Sequence, residues 1–74
     1  MNAQKEIALG KAYRDPITGF RGIATARITH LHRVTEIKIE PTELGSEGRP
    51  IDAVWFEEPR LEIDSEHNPA GFHG

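Results

Sequence analysis

The chain has 74 residues, no cysteine and a formal net charge of −3, and 36% of its residues are hydrophobic. A domain of this size buries only about 60% of the surface that its unfolded chain exposes, so its core is small. The lack of cysteine excludes disulfides and thiolate metal sites, and a mean hydropathy of −0.54 without a long apolar run excludes a transmembrane helix. The first residues lack the apolar stretch of a signal peptide, so we expect a cytoplasmic protein without membrane contact.

Basic and acidic residues are unevenly distributed along the chain. Residues 1–38 contain seven basic and three acidic residues, a net charge of +4, whereas residues 39–74 contain two basic and nine acidic residues, a net charge of −7. The acidic total argues against duplex DNA as a partner, because such binding depends on many phosphate contacts. The basic half still permits a local anion site. Alternatively, the two halves attract each other within one chain or between protomers.

Proline and glycine divide the chain into short segments rich in Ile, Val, Thr and aromatic residues, a pattern typical of short strands. Residues 7–13 are the first predicted strand, with Ile7 and Leu9 facing inward. Residues 15–19, Asp-Pro-Ile-Thr-Gly, suit a type I turn that ends on a left-handed glycine. Further strands are predicted at residues 22–31, 34–40, 53–56 and 61–63, with a bend at residues 57–60.

The second and third predicted strands alternate apolar and polar residues with a period of two, which indicates a hairpin. If His32 and Arg33 form a two-residue turn, Ile28 lies opposite Ile37, and the like-charged Arg27 and Lys38 lie opposite each other. This register gathers apolar residues on one face, and a slip of one residue would mix the two faces. His-Arg is an unfavourable sequence for a tight turn, so a longer loop is the alternative.

These elements predict an all-β fold, a small five-stranded SH3- or Tudor-like barrel with a long first loop and a mobile C-terminal tail. We expect residues 1–6 to be a flexible N-terminus, residues 7–63 to form the barrel and residues 64–74 to be a disordered tail with few core-forming residues. The side chains predicted to be buried are Ile28, Ile37, Ile39, Val54 and Leu61. Those predicted not to be buried are Arg27, Glu36 and Lys38.

Two stretches of the chain carry a longer pattern. Residues 9–27 contain Leu-Gly-x-x-Tyr-x-Asp-x-Ile-Thr-Gly-Phe-x-Gly-Ile-Ala-Thr-Ala-Arg, and residues 53–62 read Ala-Val-Trp-Phe-x-Glu-x-Arg-Leu-Glu. The pattern resembles a family of small proteins of unassigned function that phages and prophages encode. The resemblance implies a phage origin and an SH3-like barrel, and it supplies no catalytic residues. The chain departs from it at Leu31-His32-Arg33, where the family has a Leu-Asn-Gly turn.

Few residues have catalytic or metal-binding potential. His30 and His32 have the only metal-like spacing, with Glu36 as a possible third ligand, but zinc sites need three or four clear protein ligands. The acidic residues near the last strand lack a cleft that would separate their pKa values, and no serine lies in a nucleophile motif. We therefore predict no enzyme activity, no metal site and no cofactor.

Arginine and aromatic residues around the first loop form the candidate binding site: Arg14, Phe20, Arg21, Arg27 and Trp55. Arginine makes bidentate hydrogen bonds with phosphate, and aromatic rings stack on bases. Trp55 is expected in the core, with a site role as the alternative, and for Phe20 both positions remain open.

Together with the resemblance, these residues favour a non-enzymatic binding protein that assembles as a homo-oligomer. It would act as a phage anti-defence protein that sequesters a small anionic, nucleotide-type signal of the host or blocks a host protein. The alternative is a structural or assembly component of the virion.

Overall fold

The computed structural model describes residues 6–65, which form one antiparallel sheet of five strands. The strands are β1 (Ala12–Arg14), β2 (Arg21–Ile28), β3 (Glu36–Glu40), β4 (Val54–Glu57) and β5 (Glu62–Ile63). Their order across the sheet is β4-β3-β2-β1-β5, and a 3-10 turn at Glu58–Arg60 joins β4 to β5. The predicted all-β class with five short strands is confirmed. Within residues 6–65 no helical segment has the length and apolar character that crossing a bilayer requires.

The core lies on one face of this sheet. It consists of Ile7, Tyr13, Ala24, Ile37, Ile39, Phe56 and Leu61, and Phe20 packs against it. Burial of Ile37, Ile39 and Leu61 confirms the prediction for these three side chains. The prediction is wrong for Ile28, which is 40% exposed, and for Val54, which is 39% exposed on the edge strand β4.

The register of the β2–β3 hairpin differs from the predicted one by one residue at residues 26–28 and by two residues beyond Thr25, where Ala24 instead of Ala26 lies opposite Ile39. Arg27 lies opposite Ile37, and Ile28 lies opposite Glu36, because residues 29–35 form a seven-residue loop instead of a two-residue turn. A shift in pairing between Ala24 and Ala26 leaves Thr25 unpaired as a β-bulge. The bulge puts Ala24 and Arg27 on the same face of the sheet although three positions separate them. The predicted pairing of Arg27 with Lys38 is therefore wrong, and Arg27 reaches the margin of the core.

The first loop is also tighter than predicted. The backbone N–H of Asp15 donates to the carbonyl of Phe20 at 2.8 Å and closes a short hairpin between β1 and β2. Gly19 has the predicted left-handed conformation, with φ of +83°, but its N–H bonds the Asp15 carbonyl four residues back, as in an α-turn instead of a type I turn. Residues 6–11 are not a strand, and Leu9 is exposed, contrary to the prediction that it faces inward.

Ordered structure extends to the end of β5 and into the two residues that follow it. The N–H of Asp64 donates to the carbonyl of Ala12 at 3.1 Å, and the Asp64 side chain is buried. Of the predicted tail, residues 66–74 lie outside the described residues, and so do residues 1–5 of the predicted flexible N-terminus.

Candidate binding site

A buried carboxylate, Asp15, organises the β1–β2 hairpin and ties it to the turn before β5. Arg60 donates from Nε and Nη2 to the two Asp15 oxygens at 2.8 and 2.7 Å, and its guanidinium lies 5.3 Å from the centre of the Phe56 ring. The backbone N–H groups of Ile17 and Thr18 and the Thr18 hydroxyl also donate to Asp15. The hydrogen bonds from Arg60 lower the pKa of Asp15 well below its ordinary value, against the opposing effect of burial. Asp15 is thus a structural carboxylate that is ionised at neutral pH.

A second ion pair holds the N-terminal segment at the opposite end of β2. Arg27 Nη1 lies 3.0 Å from Glu58 Oε2, and the same oxygen accepts a hydrogen bond from the backbone N–H of Ile7 at 2.8 Å. Arg27 Nη2 donates to the carbonyl of Ile7. Both backbone polar groups of Ile7 are therefore bound by side chains, which allows its own side chain to be fully buried outside any strand.

The other two arginines predicted for ligand contact also have carboxylate partners. Arg21 donates from Nε and Nη2 to Asp64 at 2.7 and 2.8 Å, and Arg14 donates to Glu62 at 2.9 Å on an exposed surface. Arg21 and Arg27 are about 20 Å apart along β2, at roughly 3.3 Å per residue. The structure thus does not bring the three predicted arginines together into one anion site.

We expect the Arg27→Met variant to lose about 1–3 kcal/mol of unfolding free energy, because it leaves the Glu58 carboxylate and the Ile7 carbonyl without a charged partner in a largely buried place. Methionine keeps most of the apolar stem. The matched variant Arg14→Met breaks an exposed pair and should cost about 0–1 kcal/mol. Urea unfolding of both variants measures the difference, and equal losses would contradict the structural role of Arg27.

Phe20 and Arg21 line a groove between the β1–β2 hairpin and the loop that joins β3 to β4. The groove has a volume of about 200 Å³, and its other lining residues are Gly19, Pro41, Thr42, Glu43 and Ile51. Phe20 packs with one side on the core, where its ring centre is 5.4 Å from that of Phe56. Phe20 therefore both packs on the core and lines the groove, which are the two positions between which the sequence did not decide. Arg14, Arg27 and Trp55 do not line this groove.

Gly22 brings the two walls of the groove together. A Cβ atom at this position would lie 2.3 Å from the carbonyl oxygen of Glu40 and 2.9 Å from the Cα of Pro41, so only glycine allows this close approach. The sequence marks Gly22 as a break in the pattern, but a backbone contact between β2 and residue 41 has no local signal. Pro41 and Ile51 were missed for the same reason, because they reach the groove from a distant part of the chain.

Trp55 lies on the face of β4 that points away from the core. It is 39% exposed and lies opposite Lys38 of β3, so its expected place in the core is wrong. The reason is the pairing of β4 with β3, which directs Val54 and Phe56 towards the core side and Trp55 to the outer side.

The histidine pair does not form a metal-like group. His30 Nε2 is 3.6 Å from a Glu36 oxygen, and its Nδ1 is 3.2 Å from Nη2 of Arg33, whereas His32 is exposed in the loop. Within residues 6–65 no three His, Cys, Asp or Glu side chains are arranged to hold a metal ion.

Comparison with known proteins gives no relative to set beside this geometry. No protein-family model matches the chain, and no curated protein or solved structure is significantly similar to it.

Proposed function

We propose that this chain is a non-enzymatic binding protein whose ligand occupies the groove beside Phe20. The observation that carries the proposal is the groove itself, where an aromatic ring, Pro41 and Ile51 offer apolar surface between two charged side chains, Arg21 and Glu43. Small concave sites of this composition are where proteins take up ligands.

The charges of the groove favour a protein ligand over a free anion. Arg21 is already paired with Asp64, and Glu43 adds a negative charge to the same rim. A phosphate group would meet this carboxylate and compete with another for the guanidinium. A volume of about 200 Å³ is below the range of roughly 300–1,000 Å³ that small-molecule sites have, and it suits one apolar side chain of a partner.

The biological role we propose is to block a host protein on behalf of a phage. The sequence pattern of residues 9–27 and 53–62 supports a phage origin, and Gly19, Phe20 and Gly22 of that pattern build the groove. Sequestration of a nucleotide-type signal is the form of anti-defence activity that the charges favour less. A docking role in the virion is the alternative and would use the same surface.

We expect indole, as a stand-in for an apolar side chain, to bind the groove in a titration followed by amide NMR shifts. The shifts should be saturable and centred on Phe20, Arg21 and Thr42. Thr42→Arg fills the groove from an exposed position and should abolish them. Thr29→Arg makes the same change at an exposed site in the loop after β2 and should leave the shifts intact.

Adenosine monophosphate is the competing probe. If it shifts the same amides at lower concentrations than indole, the ligand is anionic and the protein-ligand form of the proposal is wrong. If neither probe perturbs the groove, the site itself is wrong. Co-purification from infected cells then tests the role: a host protein should accompany the wild type and Thr29→Arg but not Thr42→Arg. Virion proteins in its place would support the alternative role.

A further inference from the structure

The outer edge of β4 is a strand edge without a partner among residues 6–65, where β3 is the only strand that pairs with it. The N–H of Glu58 donates to the carbonyl of Thr35, and antiparallel ladders alternate, so the backbone groups of Phe56 and Val54 also point towards β3. Those of Trp55 and Glu57 consequently point outward. The edge carries no proline, lysine or bulge of the kind that usually protects such strands.

Two apolar side chains lie exposed along this edge, one on each face of the sheet. Val54 and Trp55 are each 39% exposed. Both would be covered by a strand added beside β4, with the outward backbone groups of Trp55 and Glu57 forming its hydrogen bonds.

We infer that β4 pairs with β4 of a second copy of this chain, antiparallel, with Trp55 opposite Trp55 of the other copy. In this register Val54 lies opposite Phe56 of the second copy, so the apolar row that Ile39 and Val54 begin continues across the interface. Glu57 lies opposite the neutral Ala53 of the second copy. The inference concerns assembly and goes beyond the proposed binding role.

The neighbouring register is less favourable. Moving the pairing by two residues, the smallest step that keeps the ladder hydrogen bonds, puts Trp55 opposite Glu57 and Val54 opposite Glu58 of the second copy. Glu58 is already engaged by Arg27 and the Ile7 N–H. A further step of two residues puts the two Glu57 side chains opposite each other, which like charges disfavour. Of these three registers only the first covers both exposed side chains with apolar groups. A step of two residues in the opposite direction also puts apolar groups opposite them, with Val54 opposite Val54 and Trp55 opposite Ala53, but it pairs Trp55 and Glu57 with Ala53 and Ile51, which lie outside the strand Val54–Glu57.

Sedimentation equilibrium of the full chain tests the inference. The wild type should dimerise, and Trp55→Glu should raise the dimer dissociation constant by about ten-fold or more, because it puts two carboxylates opposite each other. Within one copy the new carboxylate faces Lys38, which favours the fold. Leu31→Glu is the control, since it introduces the same charge at a residue 89% exposed in the loop before β3, and it should leave dimerisation unchanged.

The register is tested separately at Ala53, which keeps Trp55 in place. Ala53→Lys should tighten the dimer through Glu57 of the second copy, and Ala53→Glu should weaken it, each by a few-fold at low salt and less at high salt. The two Ala53 variants also test the interface if Trp55→Glu does not fold. A wild type that stays monomeric at high micromolar concentration overturns the inference, and so does an equal response to the two Ala53 variants. Thr42→Arg should dimerise normally, so failure of the groove and failure of this interface are distinguishable.

Discussion

The Ile37→Ala variant is expected to lose about 2–5 kcal/mol of unfolding free energy, most of the stability of a domain this small. Ile37 is fully buried in the interior strand β3, between Arg27 of β2 and Phe56 of β4. Truncation removes buried methylene groups and leaves a cavity that neighbours on both sides cannot fill without breaking the sheet. Urea unfolding measures the loss.

Ile17→Ala is the matched control for this prediction. Ile17 is 75% exposed in the β1–β2 hairpin, and its truncation should change the unfolding free energy by about 0.5 kcal/mol or less. If the two variants were equally stable, Ile37 could not be at the centre of the core.

The Asp15→Asn variant is expected to show the largest fall in melting temperature of any single carboxylate change among residues 6–65. Asparagine keeps the size of the side chain, but it removes the charge that Arg60 binds through two hydrogen bonds and leaves the guanidinium without its partner. Breaking such a pair costs more than the pair contributes, because the remaining charge stays partly desolvated. Glu62→Gln, which breaks the exposed pair with Arg14, is the control and should have a small effect.

The pH dependence of Asp15→Asn has a definite sign. The pKa of Asp15 in the folded protein lies below its ordinary value of 3.8, so its contribution to stability is complete at neutral pH. It is lost as the pH falls below the ordinary value and through the lower, folded one. The difference in melting temperature between wild type and Asp15→Asn should therefore be constant near pH 7 and shrink in acid. A difference that stays constant down to pH 2 would show that the charge of Asp15 is not what stabilises the fold.

The sequence predicted the features of the fold that depend on local patterns. The alternation around Ile37 and Ile39 identified β3 and its buried face, and Gly19 identified the hairpin before β2. The predicted register was wrong because the bulge at Thr25 has no glycine or proline to mark it, and because the alternating pattern does not encode the seven-residue length of the loop after β2. A strict alternation of inward and outward side chains would place Arg27 on the polar face of the sheet, away from Ile37.

The candidate site was predicted only in part, for a related reason. Phe20 and Arg21 were found because they adjoin a recognisable turn, whereas Pro41 and Ile51 come from a loop twenty or more residues away. The partners of the arginines are similarly remote: Arg60 and Asp15 are 45 residues apart, and Arg27 and Glu58 are 31 apart. All four residues lie within residues 9–27 and 53–62, so these two stretches contain contacts that hold the fold as well as residues that line the groove.

The contact between Ile7 and Glu58 also bears on how the chain folds during synthesis. It joins residues 51 positions apart, and it satisfies the backbone of a segment that leaves the ribosome well before Glu58 does. Contacts of such separation form late, because closing a long loop costs entropy before any contact repays it. The apolar side chain of Ile7 therefore stays exposed until the 3-10 turn after β4 has been synthesised. Folding of this small domain is thus completed only when the turn Glu58–Arg60 is in place.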